Sequence, residues 1–342
     1  MQYRSLGRSA LKVSPLCLGS MMFGGQTDES TSRRIIASAA DQGINFIDTA
    51  DRYNEGRSEE IVGRAIAADR DRWVLATKCA NPLSADAGPN QRGLSRKWIF
   101  RAVEDSLKRL GTDYIDLLYF HRPIPDAPLD ESVRAVADLI RQGKIRYFGV
   151  SNFHGWRIAE VARLADQLGI DRPIASQPLY NIMDRKAEVE QLPAAGFNGL
   201  GVVSYSPLAR GVLTGKYDAD IQTAPPADSR AARGDERLHQ TEWRAESLQI
   251  AQRIVEHARQ RGTTPVAFAL AWVLRNRLVS AAIAGPRTQA QWDAYLPALD
   301  LRLSAEDEAF VDSLVAPGHA STHAYTDPAY PVEGRKVSFH AR

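Results

Sequence analysis

Cysteine is scarce: only Cys17 and Cys79 occur in 342 residues. That excludes a disulfide scaffold and makes a reducing compartment the simpler expectation. Long apolar runs are missing too. No stretch approaches the roughly 20 residues that cross a bilayer, and Met1-Gln2-Tyr3-Arg4-Ser5 lacks the basic and apolar regions of a secretory leader, so a cytoplasmic protein is expected. Nor is there an excess of one charge. With 43 basic against 41 acidic residues the net charge is +2 and no long basic run occurs, which argues against nucleic acid or a membrane surface as partner.

Several motifs are absent as well. The seven histidines show no H-x-H or H-E-x-x-H spacing, so no metal is expected, and no G-x-S-x-G elbow points to a serine hydrolase. No G-x-G-x-x-G joins a strand to a helix. Gly211-Val212-Leu213-Thr214-Gly215-Lys216-Tyr217 imitates a phosphate loop, but its glycines are one residue too close and Tyr217 stands where Ser or Thr belongs.

What is present is a repeat. In Gly43 to Gly63 a short apolar run, Ile44 to Ile47, reads as a buried strand. Its polar exit carries Asp48 and Tyr53, and Ser58-Glu59-Glu60 then opens an amphipathic helix. Two later strands end alike, Trp73–Thr77 in Lys78 and Ile115–Phe120 in His121. Further strands are expected at Leu16–Leu18, Tyr147–Val150, Ile174–Gln177, Gly201–Tyr205 and Ser280–Ile283. Helices are expected at Glu29–Gln42, Arg96–Leu110, Leu129–Gln142, Trp156–Leu168, Glu188–Ala195, Thr241–Gln260 and Thr264–Asn276. Strand and helix alternating eight times predict an α/β protein, a (β/α)8 TIM barrel. One barrel domain spanning residues 1–342 is expected, divided into an N-terminal β-hairpin (1–14), the barrel (15–315) and a tail (316–342). The polar segment Tyr217–Gln240 reads as a mobile lid, and the tail wraps the barrel mouth or is disordered.

Acid, phenol, amine and imidazole thus share one barrel face. A phenol is a poor proton donor at neutral pH unless a neighbouring ammonium lowers its pKa. Lys78 is the candidate ammonium, Asp48 the carboxylate that keeps it charged, and His121 a neighbouring hydrogen-bonding imidazole. The bland alternatives are a surface Asp51-Arg52-Tyr53 loop and a core histidine.

The segment Gly43 to Gly63, with Lys78 and His121 closing their strands, resembles the aldo-keto reductase superfamily, from the first residues to about Gln291. The resemblance implies catalytic roles for Tyr53, Lys78, Asp48 and His121, and an NADPH cofactor, with NADH possible, lying across the barrel mouth. It implies that Ser151, Asn152 and Gln177 hold the nicotinamide amide and that Tyr205 stacks on the ring. Ser206, Pro207, Leu208, Ala209, Arg210, Gly211 and Lys216 resemble the pyrophosphate loop, and Gly19, Ser20, Met21, Gln26 and Asp48 line the ribose side. Gly285, Arg287 and Gln291 would seat a ribose 2′-phosphate.

Where the family has Glu then Asn against the adenine, this chain has Ala294 and Tyr295; Asp293 or stacking by Tyr295 would substitute. A small carbonyl substrate is implied, reduced to an alcohol in a pocket lined by Met21, Met22, Phe23, Tyr119, Phe153, the loop 80–95 and the tail. The Met and Phe members suggest an apolar rim and aromatic or aliphatic aldehydes, with a core role for each as the equal alternative. A sugar or alcohol dehydrogenase running on NAD(P) is one alternative. A regulatory subunit like the potassium-channel β proteins is another, although those carry an asparagine where this chain has His121.

Overall fold

The computed structural model describes residues 1–125 and 127–331, so the end of the expected tail, with His340, lies outside the described residues. Eight parallel strands close a barrel: β3 (Leu16–Gly19), β4 (Phe46–Asp48), β5 (Val74–Cys79), β6 (Ile115–Phe120), β7 (Ile145–Ser151), β8 (Ala175–Gln177), β9 (Gly201–Ser204) and β10 (Val279–Ala284). Strand β10 pairs with both β9 and β3, which removes every free edge.

Around it run α1 (Glu29–Asp41), α2 (Arg57–Ile66), α3 (Arg96–Leu110), α4 (Leu129–Arg141), α5 (Gly155–Leu168), α6 (Gln191–Phe197), α7 (Glu236–Thr241), α8 (Ala245–Gln260), α9 (Pro265–Arg275), α10 (Gln289–Asp293) and α11 (Ala305–Leu314). Alternate strand residues divide between two cores. Cys17, Phe46, Val74, Ala76, Leu117, Tyr119, Ala175, Val203 and Ala281 fill the barrel interior. Leu16, Leu18, Ile47, Leu75, Leu118, Phe148 and Val202 face the helices.

The hairpin β1 (Arg4–Ser5) and β2 (Lys12–Val13) closes the N-terminal end of the barrel, with Leu6 fully buried in the interior cluster. Gly7 makes this closure possible. Its φ is +57°, and a Cβ there would lie 2.5 Å from the carbonyl oxygens of Gly199 and Ile174. The hairpin therefore sits on the strand starts and leaves the opposite end open for loops.

Three points depart from expectation. Ser58 does not cap α2: the helix starts at Arg57 behind Gly56, and the buried Ser58 hydroxyl bonds Ser20 Oγ (2.7 Å) and Thr49 Oγ1 (2.9 Å) instead. The expected helix over Thr241–Gln260 begins only at Ala245, after the separate α7. Helix α11, capped reciprocally by Ser304 and Asp307, was not anticipated because its apolar periodicity is weak.

The tail is ordered where described and docks on the barrel. Arg185 N donates to His319 O (2.9 Å), Ser321 N to Met183 O (2.8 Å) and Tyr325 Oη to Gln240 O (3.1 Å), while Arg237 holds Asp327 with two bonds of 3.0 and 2.6 Å. The last two contacts also tie down α7, at the end of the expected lid.

Candidate active site

Asp48 ends β4 and Lys78 lies in β5, one strand over, 2% and 1% exposed. The Lys78 ammonium is paired with Asp48 Oδ1, donates to Thr49 O at 2.7 Å and lies 3.2 Å from the Tyr53 hydroxyl. From β8, Gln177 Nε2 donates to the other Asp48 oxygen at 2.9 Å. Both carboxylate oxygens are thus engaged.

Tyr53 sits in a tight turn whose next two residues, Asn54 and Glu55, have φ of 49° and 58°. Asn54, a residue that tolerates this conformation, holds the turn by donating Nδ2 to Met21 O (2.9 Å) and Phe23 O (2.8 Å). His121 leaves β6, pinned by its backbone N–H to Cys79 O at 2.8 Å. Its ring stands edge-on to Tyr53, with centroids 5.9 Å apart.

Charge follows from this packing. Burial works against the Lys78 ammonium, but Asp48 and then Tyr53 outweigh it and raise its pKa above the ordinary 10.5. Burial also raises the Tyr53 phenol, and Lys78 offsets that only in part. The expected lowering of the phenol's pKa is therefore corrected: Asp48 already compensates the cation, so desolvation wins. Burial, Lys78, Arg52 and Arg122 push His121 well below its usual value, leaving a neutral imidazole.

A second connected set surrounds these four. Ser151 Oγ donates to Gln177 O (2.8 Å); Asn152, at φ 61°, donates Nδ2 to His121 O (3.0 Å) and accepts from Tyr205 Oη at 2.8 Å. Ser206, Ala209, Arg210 and Gly211 follow with φ of 54°, 48°, 51° and 100°, and the intervening Pro207 and Leu208 are buried. The Arg210 guanidinium turns to Glu242 (3.0 Å) and Ser206 Oγ (3.2 Å). Lys216 folds back so that its Nζ would lie 3.0 Å from a Cβ on Gly211.

Cations gather here. Burial, Arg287, Arg230 and Arg233 push Lys216 down to about 8. Arg287 Nη1 donates to Asp228 O at 3.1 Å, Arg233 bonds the same carbonyl, and the Asp228 carboxylate lies 3.7 Å from Arg287. A cluster that depresses its own lysine suits a polyanion, and neutral amides and a phenol at the strand ends suit a nicotinamide. Sequence reading placed Arg230 and Arg233 in the polar segment Tyr217–Gln240 but had no means of setting them beside Lys216.

The remaining expected residues are distributed more widely. Gly19 is buried, and the Ser20 hydroxyl is committed inward to Asp48 O (3.0 Å) and Ser58, whereas Met21 and Gln26 are exposed. Gln291 Oε1 accepts from Arg287 N at 2.8 Å, and Gly285 is exposed beside Gly19. Tyr295 is only 7% exposed and packs edge-on to Trp292, so adenine stacking by Tyr295 is not available. Asp293 accepts from Gln289 at 2.9 Å. Of the expected apolar lining, Met22, Phe23, Tyr119 and Phe153 take the core alternative, and Met21, 42% exposed, is the member left at the surface.

Comparison with known proteins matches residues 15–316 to the Aldo/keto reductase family. The chain is 39% identical to a Bacillus subtilis protein named as an uncharacterized oxidoreductase, over 95% of this chain and 99% of that one. It is also 39% identical to a probable voltage-gated potassium channel subunit beta of Arabidopsis thaliana (88% and 92% covered) and 34% identical to a putative aryl-alcohol dehydrogenase of Schizosaccharomyces pombe (92% and 96%).

The chain belongs to the aldo/keto reductase family. This aldo/keto reductase is an NAD(P)H-dependent oxidoreductase built on the closed eight-stranded barrel. Among the described residues it contains no His, Cys, Asp and Glu grouping able to hold a metal and no helix long and apolar enough to cross a membrane.

Proposed function

We propose that the protein reduces aldehydes or ketones to alcohols with NADPH, Tyr53 supplying the proton. The observation that carries this is the Tyr53 hydroxyl lying 3.2 Å from an ammonium that is itself paired with a buried carboxylate. When bound, the dinucleotide supplies the hydride that goes to the carbonyl carbon. Tyr53, its pKa held up by burial, stays protonated and donates to the carbonyl oxygen as negative charge develops there. Lys78 stabilises the phenolate left behind, and Asp48 keeps Lys78 charged. The neutral His121 donates a hydrogen bond to the same oxygen, orienting it in a partly dehydrated pocket.

Ser151, Asn152 and Gln177 hold the carboxamide, and Tyr205 supports the ring. The loop Ser206–Gly211 with Lys216 receives the pyrophosphate. Arg287 and the loop arginines Arg230 and Arg233 favour a 2′-phosphate, hence NADPH over NADH.

Tyr53→Phe tests the assignment. It keeps NADPH binding, read by quenching of protein fluorescence, and lowers kcat by about 10²- to 10⁴-fold, the usual worth of a positioned acid. Near-normal turnover in that variant removes Tyr53 as the donor. Regulatory function like that named for the plant channel relative is the second reading, and the presence of His121 beside Tyr53 favours catalysis over it.

A further inference from the structure

Each of the two residues nearest the reacting carbonyl in the proposed mechanism has an arginine as chain neighbour. Arg52 precedes Tyr53 and Arg122 follows His121, and both are exposed. The Arg122 guanidinium carbon stands 5.9 Å from the ring centre of Tyr330, on the docked tail. Tyr330 is fixed there by its N–H to Asp327 O (3.0 Å), and Asp327 by Arg237. The fields of both Arg52 and Arg122 reach the His121 imidazole, and that of Arg52 also reaches the Tyr53 phenol.

Three acids of this end are already committed, and the exposed Glu55, in the turn of Tyr53, forms no ion pair with either arginine among the described residues. Asp48 is held by Lys78 and Gln177, Asp327 by Arg237 and Glu242 by Arg210. Asp51, adjacent to Arg52, is fully buried; burial and Glu59 push it up to about 8, so at neutral pH it is largely uncharged and does not neutralise the arginine. Among the described residues neither Arg52 nor Arg122 enters an ion pair. With Met22, Phe23, Tyr119 and Phe153 buried in the core and Met21 the expected apolar member left exposed, the chain neighbours of the catalytic pair that reach solvent include two guanidinium groups without an ion pair among the described residues, one of them against Tyr330.

We propose that Arg52 and Arg122 form an anion-binding rim at the substrate mouth, and that the preferred substrate is a carbonyl compound bearing a negatively charged group remote from the carbonyl. This rests on the reductase reading. A guanidinium offers a planar fork that matches carboxylate and phosphate alike, and at a partly solvated mouth the attraction serves capture and orientation rather than the chemical step. The effect is therefore expected in KM more than in kcat.

The experiment measures NADPH consumption by the full-length enzyme on matched pairs: 4-carboxybenzaldehyde against 4-methylbenzaldehyde, and glyceraldehyde 3-phosphate against glyceraldehyde. The anionic member of at least one pair should show kcat/KM about tenfold higher, the size of one charge-assisted contact. Which pair shows it tells carboxylate from phosphate. Arg122→Gln and Arg52→Gln should each lower kcat/KM for the anionic member several-fold more than for its neutral twin. Raising the salt should erode the wild-type preference, a readout that requires no variant to fold. Turnover of both members without discrimination, or equal losses on both in the two variants, overturns the rim alone. No turnover of any member overturns the reductase reading and the rim with it.

Discussion

Removing one half of the Lys78–Asp48 pair should cost far more than removing both. Their side chains are 1% and 3% exposed, and Lys78 has Thr49 O and Tyr53 Oη as its other partners while Asp48 has Gln177. In Asp48→Asn the ammonium stays buried with neutral acceptors only. In Lys78→Met the carboxylate keeps a single amide donor. Breaking a buried pair in this way costs about 3–5 kcal/mol, because the surviving charge loses its compensation but not its desolvation. For a domain of this size that corresponds to a fall in Tm of roughly 4–7 °C.

In Asp48→Asn/Lys78→Met no charge is left to bury, so the double variant should recover most of the loss and give a coupling energy of about 4 kcal/mol or more. The assay is thermal and urea unfolding of the four proteins at neutral pH, followed by circular dichroism. Its pH dependence has a definite sign. Because Lys78 is held above its ordinary 10.5 in the fold, its contribution is complete below that pH and is lost only as pH rises through the folded value. Single variants losing less than about 1 kcal/mol, or a double variant no better than the worse single one, would refute the view that this pair is dehydrated and mutually dependent.

Two further outcomes test other parts of the molecule. Gly63→Ala places a Cβ 2.1 Å from Leu110 O, where α2 meets the end of α3; it should cost at least about 2 kcal/mol, since backbone rather than a side-chain tip must move, and an unchanged Tm would contradict that packing. NADPH affinity should fall as pH rises through about 8, the value to which burial and Arg287 bring Lys216, because the ammonium that meets the phosphates is lost there. Lys216→Arg should flatten that profile, and an unaltered pH dependence in that variant would assign it to another group.

The barrel was legible in the chain because alternation of short β-branched runs with amphipathic segments is a local property. Helix α3 and strand β6 were read at their observed bounds, Arg96–Leu110 and Ile115–Phe120, for that reason. Local reading failed where a side chain's partner lies far along the sequence. Ser58 has the look of a helix cap, but Ser20, 38 residues away, takes its hydroxyl.

By itself the sequence determined the strand-and-helix order, and that order delivers Asp48, Tyr53, Lys78 and His121 to one end of a parallel barrel, since strand direction alone decides which end a residue reaches. Tertiary structure alone decided the charge states and the lining. Whether the phenol's pKa rises or falls depends on how completely Asp48 compensates Lys78 once both are dehydrated. Whether Phe23 or Arg52 meets a substrate depends on which side of its backbone the core lies. Burial is a collective property of elements distant in the chain, and no run of residues carries it.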